Sequence, residues 1–175
     1  MKGPSQILVF TIDTDTSLDI IFFHVDDVIL CGHPESIRHV IKNNKNKFKI
    51  LDLGFPTEIL GIQIRKDKQA IYLSTDKSEL KVISEYEMDN SKGSSTPLPP
   101  GLKLPPLLEV LNPVVILKYR NLLGKLLYIS RCVRFDICYA VNLLCRYSSN
   151  HNTTMWKLLK GILKFLGDNQ MKLEY

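Results

Sequence analysis

Between Ser91 and Pro113 the chain reads SKGSSTPLPPGLKLPPLLEVLNP and carries six of its nine prolines, Pro97, Pro99, Pro100, Pro105, Pro106 and Pro113, together with Gly93 and Gly101. Proline fixes φ and has no backbone N–H to give, so this density forbids a continuous helix or a central strand. The segment therefore reads as an extended linker. It separates a mixed α/β part from an all-helical one, which sets the expected organisation: residues 1–88, a Pro-rich linker over 89–117, and a helical region over 118–175. The fold class expected is α+β.

Upstream of the linker the apolar residues fall into strand-like runs. Gln6 to Ile12 and Leu18 to Phe23 read as strands joined by a polar turn. Val28 to Cys31 reads as a return strand, so the two runs flanking Val25-Asp26-Asp27 form a hairpin with those residues at its tip. Pro34 suits a first helical turn, and Ile37, Val40, Ile41 and Phe48 form a rough helical stripe. A second hairpin follows, from Glu58 to Arg65 and from Ala70 to Ser74 around a KDKQ turn. Asp76 to Tyr86 then reads as a helix with Leu80, Ile83 and Tyr86 on one side.

Downstream, three stretches have helical periodicity. Tyr119 to Ser130 carries Leu122, Leu123, Leu126 and Leu127, and Phe135 to Tyr147 carries Ile137, Val141 and Leu144. Trp156 to Leu166 places Trp156, Leu159, Ile162, Leu163 and Leu166 on one face, with Lys157, Lys160 and Lys164 opposite. Met171 to Tyr175 reads as the first half of a strand. The sequence contains no internal repeat.

Asp26 and Asp27 are the residues that most need explaining. Adjacent carboxylates repel, and neither is easily buried without a partner. One reading is structural: Asp is common in turns because its side chain bonds nearby backbone. The other is chemical, since a hairpin tip offering two carboxylates supplies the hard oxygen ligands that divalent metals require. Palm-type polymerases hold two Mg²⁺ ions about 3.5–4 Å apart in this way.

Composition narrows the class. At 175 residues, 45% hydrophobic and 23% charged, the chain has the make-up of a globular protein. Its four cysteines include no CxxC pair, which argues against zinc and favours reduced thiols, and so a cytoplasmic or nuclear setting. No stretch approaches the roughly 20 apolar residues of a membrane span, and MKGPSQILVF does not read as a secretory signal. The Asn152-Thr153-Thr154 sequon carries no weight without one. The net charge of +5 is unevenly spread. Arg38, Lys42, Lys45, Lys47 and Lys49 cluster beside a single acid, Glu35, and ten Lys/Arg face three Asp/Glu from Lys118 onward. Such patches suit a polyanion, or equally a solvated helix face.

Several motifs in one order are more specific than any of them alone. HVDDVILCG, then FKILDLGFPTEILGIQI, then the Thr96-Pro97 linker, then YRNLLGKLLYISRCVRFDICYAVNLLCRYSSN and MWKLLKGILKFL resemble the Pol polyprotein of copia-type LTR retrotransposons. The resemblance runs from about Leu18 to the end. It implies a partial reverse transcriptase palm and thumb over 1–88 and a helical connection preceding ribonuclease H. It also implies that Asp26 and Asp27 match the paired metal-binding, catalytic acids, with Mg²⁺ as cofactor. Leu60-Gly61 would lie in a primer-grip hairpin, and an RNA or DNA template-primer would be the partner. His24, Lys42, Lys45, Lys157, Lys160 and Lys164 are the candidate nucleic-acid contacts. Arg134-Phe135-Asp136 matches the family's RPD segment, read here as structural because an Asp near a helix N-terminus favours the dipole. Trp156 reads as core.

The resemblance also has gaps. His24 stands where the family has tyrosine, Phe135 where it has proline, and Met155 where it has histidine. The family's third metal-binding carboxylate comes from an earlier strand, and its fingers hold template and nucleotide. Neither has a counterpart here, since Asp13, Asp15 and Asp19 sit in or beside the turn of the same hairpin. Positioning and metal electrostatics supply most of phosphoryl-transfer catalysis. The expectation is thus a truncated polymerase remnant, inactive alone, that could act only with a companion Pol fragment. A non-catalytic nucleic-acid-binding module is the alternative, and a helical interaction scaffold ranks behind it.

Overall fold

The computed structural model describes residues 7–14, 17–104, 113–169 and 173–174. Contacts divide the chain into two compact units, 1–56 and 57–175.

In the first unit, β1 (Ile7–Thr14), β2 (Ser17–His24) and β3 (Asp27–Cys31) form an antiparallel sheet in the order β1-β2-β3. These strands follow the runs of β-branched and aromatic residues in the sequence. Gln6, the expected first residue of β1, lies outside the described residues. The helix α1 (Pro34–Lys45) begins with Pro34 in its first turn, capped by His33, whose Nδ1 accepts from the Glu35 N–H at 3.4 Å. Phe48, expected on its apolar stripe, lies beyond the helix and is exposed. The entry to α1 is fixed by Asp19, which accepts from the His33 N–H at 3.0 Å. A β-carbon on Gly32 would collide with that carboxylate. Among the described residues of this unit only Asp19 is buried. Val9, Phe10, Val28, Leu51 and Leu53 stay exposed.

The second unit contains a four-stranded antiparallel sheet in the order β4 (Glu58–Ile59), β5 (Ile62–Lys66), β6 (Ile71–Ser74) and β7 (Leu173–Glu174). Glu58 to Arg65, expected as one strand, is itself a tight hairpin turning at Leu60-Gly61. The final strand pairs Leu73 with Leu173 and Tyr72 with Glu174. Met171 lies outside the described residues.

The helices of this unit are α2 (Asp76–Glu85), α3 (Pro113–Cys132), α4 (Cys138–Cys145) and α5 (Thr153–Asp168), with a 3₁₀ turn at Phe135–Ile137 before α4. Their apolar faces close one core around Tyr119, Leu122, Leu126, Ile137, Val141, Leu144, Leu159 and Ile162. Trp156 is half-buried against this core. Because α2 contributes Val82 and Ile83 to the same core, the unit boundary falls at Pro56–Thr57. It does not fall in the Pro-rich segment where composition changes. The last five residues of the expected linker, from Pro113, are already helical, with proline at the first helical position where a missing N–H costs nothing. Pro105 and Pro106 lie outside the described residues.

Two expectations about helix faces are revised. Leu80 is 62% exposed, and Glu79 takes its place among the buried residues of α2. The reason is Arg134, which lies fully buried and faces Glu79. The Arg134-Phe135-Asp136 segment is also more than a dipole device. Arg134 grips Asp136 through both Nε (3.1 Å) and Nη2 (2.9 Å). No helix among the described residues is long and apolar enough to cross a membrane.

Candidate functional site

The acidic tip is a two-residue loop. His24 pairs with Asp27 at the end of the β2–β3 ladder, leaving Val25 and Asp26 as the connection. Val25 has φ 55°, an unusual conformation for a β-branched residue. The register thus places Asp26 in the loop and Asp27 as the first residue of β3, both exposed to solvent. Their repulsion is relieved by water rather than by a buried partner. His24 is half-buried, and its Nδ1 is enclosed without a hydrogen-bond partner among the described residues.

A metal cage needs more than this pair supplies. Asp19 is buried and committed to the His33 N–H. Among the described residues no group of three or more His, Cys, Asp or Glu side chains could hold a metal ion. Asp26 and Asp27 are carboxylates of the type Mg²⁺ takes as ligands, and no third metal-ligating side chain is grouped with them among the described residues.

Leu60 and Gly61 form the second turn of interest. Both have positive φ, 49° and 79°, as the favoured two-residue hairpin turns require. Gly61 accepts this readily, while Leu60 needs support. The support comes from the helices: the Tyr128 hydroxyl donates to the Leu60 carbonyl, and the Ser78 hydroxyl donates to the Gly61 carbonyl at 3.2 Å. Partial burial pushes the pKa of the Tyr128 phenol up to about 12. The turn is thus tied to α2 and α3 through its two carbonyls.

The candidate cations are distributed over three places. Lys42 and Lys45 lie exposed in the last turn of α1. There they face the negative end of the helix dipole, a sufficient structural role. On α5, Lys157 and Lys164 line a cleft of about 550 Å³. Lys160 does not line it and instead sits 5.9 Å from the Trp156 ring centre. The other wall of the cleft is the segment from Lys92 to Pro99, which the sequence reading treats only as linker. The spacing Thr154, Lys157, Leu158, Gly161, Lys164 is the signal that could have found its floor, since those positions share one stripe of a helix.

With the geometry established, relatives supply the context. The chain is 30% identical over 161 residues to the retrovirus-related Pol polyprotein from transposon TNT 1-94 of Nicotiana tabacum. This match takes in 87% of the chain and 12% of that polyprotein. The chain is a relative of transposon Pol polyproteins. It is also 30% identical over 147 residues to an uncharacterised mitochondrial protein of Arabidopsis thaliana, covering 83% of the chain and 60% of that protein. A putative transposon Ty5-1 protein of Saccharomyces cerevisiae is 29% identical over 147 residues, covering 82% and 47% respectively. The chain therefore spans only part of each of these relatives. No family model matches, and no solved structure matches.

Proposed function

We propose that this Pol-related chain descends from the reverse transcriptase region, carries two of the polymerase's metal-binding acids, and does not extend a primer by itself. The observation that carries the reading is the exposed hairpin tip, with Asp26 in a two-residue loop and Asp27 opening the next strand. That arrangement presents two hard oxygen ligands to a divalent cation without burying either carboxylate in the fold. The motif order along the chain supports it, as does kinship with Pol polyproteins across 87% of the chain. On this reading Leu60-Gly61 is the relic of a primer-holding turn, its carbonyls bonded by Tyr128 and Ser78.

On this reading the chain alone is inactive because its described residues bring two carboxylates and no third to the metal, and phosphoryl transfer depends on positioning and on metal electrostatics. When bound, Mg²⁺ would supply Lewis-acid stabilisation of developing charge. This chain's own residues contribute two carboxylates toward holding it, and a companion Pol fragment would have to bring the rest.

The test is primer extension on RNA and DNA templates with Mg²⁺, using the chain alone and mixed with a Pol fragment carrying the upstream palm and fingers. The expected result is no extension alone and restored extension in the mixture, abolished by Asp26→Asn or Asp27→Asn. Extension by the chain alone, lost in Asp26→Asn, would overturn the inactivity. Restoration insensitive to both substitutions would overturn the role of the acids.

A further inference from the structure

Thr96-Pro97 is the one place in the chain where a Ser or Thr precedes a proline. Proline disfavours the helical region for the residue before it, and so biases Thr96 toward extended backbone. The segment from Lys92 to Pro99 belongs to no helix or strand, and Thr96 is exposed. An enzyme that reads an extended acceptor followed by proline therefore finds this hydroxyl accessible.

Thr96 also lines the cleft against α5, where the surroundings suit an anion. Lys157 and Lys164 enter the cleft from α5, and Lys92 enters it from the same segment as Thr96. None of the three lysines has an ion-pair partner among the described residues. Asp168 packs on Gly93 but is not among the residues that line the cleft. Gly161 leaves the floor open, since a β-carbon there would meet nothing within 4 Å. Two other hydroxyls line the cleft and are less suited as acceptors. The Ser94 hydroxyl is committed to the Thr96 carbonyl at 2.8 Å, and Thr154 lies in the first turn of α5.

We propose that Thr96 is a phosphorylation site for a proline-directed protein kinase, and that Lys92, Lys157 and Lys164 seat its phosphate. In the transfer, Thr96 Oγ1 attacks the γ-phosphorus of ATP and a new O–P bond forms. The bond to the departing ADP oxygen breaks, and the hydroxyl proton passes to the catalytic base of the kinase. Phosphothreonine carries about −1.5 to −2 charge at pH 7 and three strong acceptor oxygens, a match for three lysine donors. The modification replaces a neutral hydroxyl with charge-assisted hydrogen bonds that staple the 92–99 segment to α5. Before it, the Asn169 amide donating to the Ser94 carbonyl at 3.2 Å bonds that segment to the residue after α5. The assignment does not depend on the acidic turn or on polymerase ancestry.

The experiment incubates the full chain with ATP and a kinase specific for Ser/Thr-Pro sequences, and locates the modified residue by mass spectrometry. The expected result is one phosphate, on Thr96, and none in Thr96→Ala. The seat is read separately, by ³¹P NMR titration of the phosphorylated chain. The second phosphate ionisation, ordinarily about 6, should fall by about one unit, the lower end of what an adjacent opposite charge does. Replacing Lys92, Lys157 and Lys164 together by Gln should return it to the ordinary value. Lys160→Gln, which lies outside the cleft, should leave it depressed. Circular dichroism should show every variant as folded as the parent, because none of the replaced side chains belongs to the core. A chain left unmodified, or modified at Ser94, Ser95 or Thr154 instead, would overturn the site. An unshifted phosphate, or one restored equally by Lys160→Gln, would overturn the seat.

Discussion

Arg134 donates from Nη1 to Glu79 Oε2 at 2.6 Å, joining two side chains that are 0% and 5% exposed and 55 residues apart in the chain. Thr75 adds its hydroxyl to the other Glu79 oxygen at 2.7 Å, and Asp136 takes the remaining face of the guanidinium. The network ties α2 to the α3–α4 junction. Burial pushes the Glu79 carboxyl above the usual carboxylate range, opposed by Thr75 and Arg134.

Removing one partner strands the other in the core. Arg134→Ala should lower unfolding free energy by about 3–5 kcal/mol, as read by urea denaturation. Arg134→Met combined with Glu79→Met should recover much of that loss, because no charge is then left in the core and Asp136, 30% exposed, can be solvated. A double variant as unstable as Arg134→Ala would show that the pair is not the source.

His151 should make the fold acid-sensitive. Its ring stacks on Tyr119 with centres 4.0 Å apart, and neither ring nitrogen has a hydrogen-bond partner among the described residues. Burial lowers its pKa. A histidine with a depressed folded pKa contributes stability above its unfolded value, about 6.5, and that stability is lost as pH falls below it. Each pH unit between the two values should remove up to about 1.4 kcal/mol. His151→Phe keeps the stack without a titrating group. The difference in urea midpoint between parent and variant should therefore shift in the variant's favour from pH 6.5 downward. A difference flat with pH would refute the burial of a neutral imidazole.

Periodicity finds the helices because their apolar faces follow the helical repeat, as with Leu122 and Leu126 on α3 and Leu159 and Ile162 on α5. It fails on α2 because one buried polar group overrules the pattern. Nothing local says that Glu79 will meet Arg134, so Leu80 reads as core although it faces water. Proline density marks an irregular segment but not a unit boundary, since the boundary depends on which helices α2 packs against. At the acidic tip, residue type alone brings out Asp26 and Asp27. Lys92 is hidden among linker residues, and only tertiary structure brings it opposite Lys157 and Lys164.

The turn at Leu60-Gly61 predicts opposite effects at neighbouring positions. Asn tolerates positive φ better than Leu, and Leu60 is 41% exposed. Leu60→Asn should therefore raise stability by about 0.5–1 kcal/mol. Gly61→Ala introduces a β-carbon at φ 79° and should lower it by about 1 kcal/mol. Tyr128→Phe removes the hydroxyl that holds the Leu60 carbonyl and should lower it by about 0.5–1.5 kcal/mol. Thermal unfolding of the three variants checks the set. A destabilised Leu60→Asn would mean that the leucine side chain outweighs the backbone conformation.

Val25 is the sharper case, because a β-branched residue at φ 55° holds strain in the loop that presents Asp26 and Asp27. Residues in such conformations cost of order 1–3 kcal/mol and persist when the surrounding structure over-determines them. Here the ladder pairing His24 with Asp27 leaves the loop only two residues, and one of them must turn left-handed. Asn or Gly relieves the strain, though Gly also gains conformational entropy in the unfolded chain, so Asn should give the larger benefit. Val25→Asn should slow amide hydrogen exchange across β2 and β3, and Val25→Gly should slow it less. Faster exchange in Val25→Asn would mean that the exposed valine contributes to packing, and that the positive φ is not the weak point of the hairpin.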